Sequence, residues 1–432
     1  METVTINIKD PVSNLMSELD TMMSGLKHDP FRTIRKESKE LFVKNGFPTT
    51  KHEEWKYTNV IPAVSKSLLL APKKDTDSKL LNGLNTSNGI VVAVVNGYVT
   101  IPSSLPEGLI IKNIADSVND PFFAKHFDKY TDKNVDSFTA LNGSFLNEGL
   151  YIEVLPGKKI DQPVYILNYT VSVNDEISHP RMLIVSRKSS EAVVEFVTVS
   201  SGKAVSSSLM NAVVEIAVEE NARLDFCILQ NDGDTASQIC NTYTYQEQNS
   251  HLNVNTITMG GALVKNKLHL MLDGQNIETH LFGLYMGSNK QHIDNHTAVF
   301  HAKPHCFSNQ LYKGILDDES QGVFNGKIFV MQDAQKTNAF QSNKNILLSD
   351  NAAVYAKPQL EIFADDVKCS HGATTGQLDD EALFYLRSRG IGEENAKALL
   401  NVAFAADVIK NIPNENLREY ILNLIQTKLI KE

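Results

Sequence analysis

The 432-residue sequence has only four cysteines, Cys227, Cys240, Cys306 and Cys369, and nowhere a CxxC pair. Four scattered thiols in a chain this long do not make a disulfide framework, and point to a reducing, cytoplasmic compartment. Clustered positive charge is also missing: 41 Lys and Arg face 51 Asp and Glu, for a formal net charge of −10. Nucleic acid and anionic membranes both select blocks of Lys and Arg, so neither is expected as a partner. No apolar run approaches the roughly 18 residues that would span a bilayer. The start, METVTINIKDPVSN, has neither the basic beginning nor the apolar run of a signal peptide.

Several catalytic signatures are absent too. No GxxxxGK[ST], GxGxxG or GxSxG occurs; SGKAVS at 201 lacks the preceding glycine and a strand–loop–helix setting. P-loop nucleotide binding and serine hydrolysis are therefore not expected. Asp365 and Asp366 are adjacent in a segment read as strand, so they face opposite ways and make a poor acid/base pair. The single tryptophan, Trp55 in KHEEWKYTNV, reads as a packing anchor.

What is present is a long β-rich middle between helical ends. Hydrophobic residues make up 42%, enough for a sizeable core, and the length favours more than one structural unit. Asn14 can cap a helix carrying Leu15, Met16, Leu19, Met22 and Met23 on one face, and Phe31 to Phe42 continues the helical pattern. Lys73 to Asn88 reads as a surface linker. GIVVAVVNGYVTI from Gly89 reads as a hairpin turning at Asn96-Gly97, and 114–147 as helical again.

From Leu150 short β-branched runs follow one another, among them YIEVL at 151, VVEFVTV at 193, LHLML at 268 and GVFNGKIFV at 322. Such a series fits a sandwich, a barrel or a solenoid. Close but uneven spacing, few tight-hairpin linkers and abundant Asn, Ser and Gln at the expected corners favour the solenoid, although no tandem motif is visible. The expected fold class is mainly β: a parallel β-helix over 149–376 between an N-terminal α-rich region (1–148) and a C-terminal helical region (377–432).

In that last region Asp379, Asp380 and Glu381 place negative charge in a first turn. Arg387 and Arg389 lie in its last, with Gly390 just beyond. A second helix is expected from about Glu393 to Lys410 and a third after Pro413, capped by Asn414. Their apolar stripes can pack inward or offer a docking surface.

Two groups of residues can hold a metal. Cys369 and His371, in ADDVKCSHGAT, are two apart and share a face in an extended segment, so thiolate and imidazole can meet one iron or zinc. Two donors complete no tetrahedral site. The others must come from elsewhere or from a second protein, or else the pair is a buried thiol beside a hydrogen-bonded histidine. His292, His296, His301 and His305 crowd into QHIDNHTAVFHAKPHCF, but the segment reads as strand, which turns His301 away from His292 and His296. Polar corner or interface residues are the other reading.

The stretch from Gly322 to Ile391, with ADDVKCSHGAT followed by LFYLRSRGI, closely resembles the SufB/SufD family of the SUF iron–sulfur cluster assembly system, in its SufD branch. The likeness extends through DNHTAVFHAKPHCFSNQLYKGIL and EEWKYT. It implies a non-enzymatic scaffold with a central β-helix that pairs with a SufB-like subunit, or with itself when isolated. It further implies a SufC-like ABC ATPase docked on the C-terminal helices, where Asp379, Leu383, Phe384, Tyr385, Arg387 and Arg389 lie. Cys369 and His371 would contribute to a transient Fe–S cluster site at the interface with the SufB-like subunit, with no cofactor tightly bound to the isolated chain. Two other readings compete: a β-helix enzyme acting on polysaccharide, for which no acidic set is visible, and a stand-alone metalloprotein using the 292–305 histidines.

Overall fold

A computed structural model describes residues 11–26, 28–74, 83–172, 174–200 and 207–429. The first ten residues, 75–82 of the expected linker and 201–206 of SGKAVS lie outside the described residues.

The middle of the chain is a β-solenoid of about 8 turns. Its strands alternate between an 11-stranded and a 10-stranded sheet, and each coil stacks in parallel register on the one before. One column shows the register: His251 pairs with Glu278, Glu278 with Phe307, Phe307 with Asn338, and Asn338 with Lys368. A coil thus takes about 30 residues, a period typical of solenoid repeats.

Alternate residues of each strand enter the bore, where Leu224, Phe226, Leu252, Val254, Leu268, Leu270 and Leu281 form one buried cluster. Burying each such side chain contributes about 1.5–3 kcal/mol. The corners need a left-handed residue, and Asn adopts that conformation with little strain. Ser189, Asn221, Asn249, Asn276, His305 and Lys336 all have positive φ. Asn249 donates from Nδ2 to Asn221 Oδ1 at 3.1 Å, and Asn276 does the same to Asn249 at 3.1 Å. This corner ladder is why the linkers are rich in Asn.

The solenoid begins before Leu150. Ile90–Val95 and Tyr98–Thr100 form the expected antiparallel hairpin, with Asn96 at φ 54 and Gly97 at φ 91. Ile90–Val95 also pairs in parallel with Val164–Thr170, and Leu109–Asn113 runs antiparallel to Leu150–Val154. These strands close the first end.

The helices Pro11–Ser24, Arg32–Asn45 and Ser137–Ser144 lie against the flank of the 11-stranded sheet, where Leu15, Leu19, Phe42 and Phe138 meet Ile177, Leu209 and Ile239. Asn14 is not the expected cap. It sits inside the first helix and donates to the Leu68 carbonyl at 3.0 Å, fastening that helix to the following chain. Trp55 is the anchor it was read to be, 7% exposed and 5.4 Å from the Phe138 ring.

At the other end of the chain, Glu393–Ile409 and Glu415–Leu429 pack on the 10-stranded sheet. Ala405, Val408, Ile409, Leu417, Ile421 and Ile425 meet Leu229, Ile257, Leu284 and Ile315 there. The helix Asp380–Ser388 buries no residue.

Candidate functional site

The solenoid has one closed end and one open end. Among the described residues its last two strands, Ala353–Ile362 and Lys368–Gly376, are the free edges of the two sheets. An exposed edge is a row of unpaired backbone donors and acceptors, a template for another chain. Around it Phe363 is 67% exposed, with Tyr355, Phe340, Ile362 and Met331 also exposed.

Cys369 and His371 sit on the outermost strand, opposite Ala339 and Gln341. Cys369 packs at the rim of a small apolar cluster of Ile328, Val330, Ala334, Ala339 and Ala364, so its side chain turns toward the bore. His371, two residues on, shares that face and is exposed. Cys227, Cys240 and Cys306 are all buried, which leaves Cys369 as the half-exposed thiol. Partial burial pushes the Cys369 thiol up, against an opposing hydrogen bond at Ala339. In the isolated chain it is a thiol, and a metal or partner must favour the thiolate before it can ligate.

Beneath His371 the bore is polar: Gln341 donates to Gln310 Oε1 at 3.2 Å, and Thr297 donates to the same oxygen at 2.7 Å. Among the described residues no group of three or more His, Cys, Asp or Glu side chains comes together to hold a metal ion. Cys369 and His371 are one soft and one borderline donor type on one face of the last strand, and among the described residues they form no group of three with another His, Cys, Asp or Glu.

The four central histidines do not converge. His292 and His296 do share the outer face of the strand His292–His301. There His292 Nε2 lies 2.9 Å from Thr58 Oγ1, and His296 lies between Glu54 Oε2 and Asp294 Oδ1, each at 2.9 Å. His301 points inward, its Nε2 2.9 Å from Ser308 Oγ, and burial lowers it to about 4. His305 occupies the left-handed corner ladder at φ 63. Asp365 and Asp366 lie in a corner rather than the expected strand, and Asp366 pairs there with Lys336.

Sequence reasoning missed the network around those outer histidines. The EEWKYT segment forms a strap: Glu54 reaches His296 and, at 3.0 Å, Lys327; Glu53 reaches Lys357; and Thr58 donates to Asp294 at 2.5 Å. Lys265 completes it, 2.6 Å from Asp294 with its ammonium 4.7 Å from the Trp55 ring. Alternating charge along EEWK and the strand beginning HIDNH was the available signal.

The helix Asp380–Ser388 follows the last strand. Asp379 caps it, its Oδ1 accepting from the amides of Glu381 at 2.9 Å and Ala382 at 3.2 Å. Phe384 and Tyr385 are 75% and 57% exposed. The Arg389 guanidinium lies 5.3 Å from the Tyr385 ring, and Arg387 pairs with Glu393 at 3.3 Å. Leu383 turns the other way, lining a cleft of about 380 Å³ between this helix and the solenoid. Phe384 and Tyr385 thus form an apolar face rimmed by Arg387, Arg389, Asp380 and Glu381.

A β-solenoid with helical ends, its last two strands at the sheet edges and a cysteine and a histidine on the outermost one, defines the class of protein. The match to known families gives that class its family. The description "SUF system FeS cluster assembly, SufBD core domain" matches residues 169–404, and "SufBD protein N-terminal region" matches residues 7–166. The chain belongs to the SufB/SufD family and is SufD-like. It is 30% identical over 397 residues to the iron–sulfur cluster assembly protein SufD of Escherichia coli, covering 90% of each chain. It is also 30% identical over 442 residues to protein ABCI7, chloroplastic, of Arabidopsis thaliana, covering 97% of this chain and 91% of the relative. A SufBD family protein of Synechocystis is 28% identical over 429 residues, covering 95% and 93%. Among the described residues no helix is long and apolar enough to cross a membrane.

Proposed function

We propose that this chain is a non-enzymatic scaffold subunit of a cytoplasmic SUF iron–sulfur cluster assembly complex, pairing with a SufB-like subunit and carrying a SufC-like ABC ATPase. The observation that carries this reading is the open solenoid mouth with Cys369 and His371 on its outermost strand. The names of the relatives, cluster assembly proteins, agree with it.

The geometry supports a division of labour. The two free edges accept the partner's strands by backbone pairing, and Phe363, Tyr355 and Phe340 add apolar contact around them. In the absence of a SufB-like subunit a second copy of this chain takes that place. The nascent cluster is the cargo: Cys369 and His371 offer it two ligands, and the partner supplies the rest. The Phe384–Tyr385 face holds the ATPase, which provides the nucleotide chemistry for which this sequence has no P-loop. Only the short Gln377–Asp379 segment separates that helix from the ligand strand, so a pull on the helix acts close to the half-site.

The test is reconstitution with SufB-like and SufC-like partners. His371→Ala is expected to assemble the complex but lower cluster yield at least tenfold; normal yield would remove His371 from the site. Truncation after Gly376 is expected to abolish ATPase binding, and retained binding would place that contact elsewhere.

A further inference from the structure

The last helix, Glu415–Leu429, is tied to the solenoid at both ends by ionisable groups that no opposite charge among the described residues touches. At its start the tie is Glu195. This side chain projects from the outer face of Glu191–Ser200 into the seam and is fully buried. Its Oε2 accepts from Asn414 Nδ2 at 2.8 Å, while Oε1 has no hydrogen-bond partner among the described residues. Asn414 gives its other Nδ2 hydrogen to the Tyr165 hydroxyl at 2.7 Å and accepts the Asn416 amide on Oδ1 at 3.1 Å. One side chain therefore caps the helix and fastens it to the sheet.

The groups facing Glu195 can be named from each element packed on it. They are Tyr165 on the strand Val164–Thr170, Cys227 on Arg223–Gln230, in register with Glu195, and Asn414 before the last helix. None is a cation. A buried carboxylate without a cation is costly, and the carboxyl avoids that cost by keeping its proton. One strand further along the same register column, beyond Cys227, Asn255 is buried with neither side-chain atom partnered among the described residues.

At the far end Lys428 Nζ donates to the carbonyls of Met259 at 2.6 Å and Met286 at 2.9 Å, and lies 3.3 Å from Gln291 Oε1. Asp234 acts on it only at longer range, and burial lowers it to about 8.

We propose that the Glu195–Asn414 contact is a proton-operated clasp, closed while the Glu195 carboxyl is protonated and loosening the start of the last helix when the proton leaves. Burial raises Glu195 to about 8 against the Asn414 hydrogen bond, which by itself favours the ionised form, so it is the buried charge and not that bond that opens the seam. A carboxyl raised in the docked state gives stability that is fully present below its free pKa near 4.5 and is lost as pH rises through about 8. Lys428 works in a separate window: its amine is lowered when docked, so its cost is constant below about 8 and shrinks only above it. Between pH 6 and 8 the change belongs to Glu195. The clasp concerns this chain alone and stands whether or not an ATPase docks on Phe384.

Amide hydrogen exchange of the full chain, read as protection factors at pH 6, 7 and 8, tests it. Protection of the first turns of Glu415–Leu429 is expected to fall by up to about tenfold per pH unit, while the strand Leu252–Val254 region holds constant. Glu195→Gln keeps the shape and the Asn414 bond but cannot ionise, and is expected to abolish the slope. Glu195→Met is a second variant without a charge, expected to show low but equally pH-independent protection. A flat wild-type profile, or a slope that survives in either variant, overturns the proposal.

Discussion

Glu54 Oε2 lies 2.9 Å from Nδ1 of His296, a residue 242 positions further along the chain. The contact joins the N-terminal strap to the middle of the solenoid. Asp294 stands on the other side of the same imidazole at 2.9 Å, 1% exposed, with Lys265 against it. Both ring nitrogens face carboxylates. The strap is thus held by charge as well as by Trp55.

The first prediction concerns acid. Hydrogen bonding to His296 holds the Glu54 carboxyl well below the usual carboxylate range; the charges of His296 and Lys265 do the same for Asp294 against its burial. A depressed carboxyl contributes stability that is present above its unfolded pKa, near 4, and lost as pH falls toward the folded value. Thermal midpoints measured from pH 5 down to pH 2 are expected to fall less steeply in Glu54→Gln and Asp294→Asn than in wild type. Equal slopes would remove the strap from the acid response.

Asp294→Ala is the sharper change. It leaves Lys265 and His296 without their buried partner, and breaking a buried pair from one side costs about 3–5 kcal/mol. Chemical denaturation is expected to show a loss of that order. A loss under about 1 kcal/mol would mean that water or Glu54 replaces the carboxylate.

The thiols give a prediction that needs no partner. Three are buried and Cys369 is half-exposed. Native protein is expected to react at one thiol with a thiol-specific disulfide reagent, and Cys369→Ser at none. Because partial burial raises the Cys369 thiol, the reaction is expected to accelerate as pH rises toward and beyond 9. Labelling of two or more thiols in folded protein would contradict the buried positions of Cys227, Cys240 and Cys306.

Much of this fold was legible because solenoid strands are short, β-branched and joined by polar corners, and the run VVEFVTV falls in the strand Glu191–Ser200 as read. Ala236–Gln246 and Phe307–Leu316 escaped notice. Both mix polar residues into the bore, where Gln238 and Gln310 bond, and Ala236–Gln246 also carries Asn241 and Tyr243 outward to meet Thr139. A period-2 signal vanishes when the inside is polar too. The shared face of Cys369 and His371 was readable from spacing alone. The role of His305 was not: a histidine in a left-handed corner carries no local signature, and only the stacked coils put it in register with Asn276. Asn14 was misread because capping preference says nothing about a distant carbonyl such as Leu68.

Phe384 and Tyr385 separate binding from stability. Both rings face solvent on a helix that buries nothing, so Phe384→Asp is expected to change unfolding free energy by less than about 0.5 kcal/mol. The same variant is expected to lose co-purification with a SufC-like ATPase. A stable variant that still carries the ATPase would move the docking face elsewhere on the C-terminal helices.

The open mouth makes the last prediction. Lys368 donates its amide to Thr337 at 2.9 Å, inward to the neighbouring strand. Amides alternate in direction along a strand, so that of Ala373, an odd number of residues on, faces outward from the edge. Ala373→Pro deletes this outward donor while leaving the inward ladder, and proline is tolerated on edge strands. The isolated chain is expected to associate into a dimer with rising concentration, and the proline variant to need at least tenfold more protein for the same dimer fraction, with an unchanged far-ultraviolet spectrum. Light scattering after size-exclusion chromatography measures both. Phe363→Asp, which places a charge beside the same edge, is expected to act in the same direction. If wild type stays monomeric, or both variants dimerise as wild type does, then the edge strands are not where copies of this chain meet.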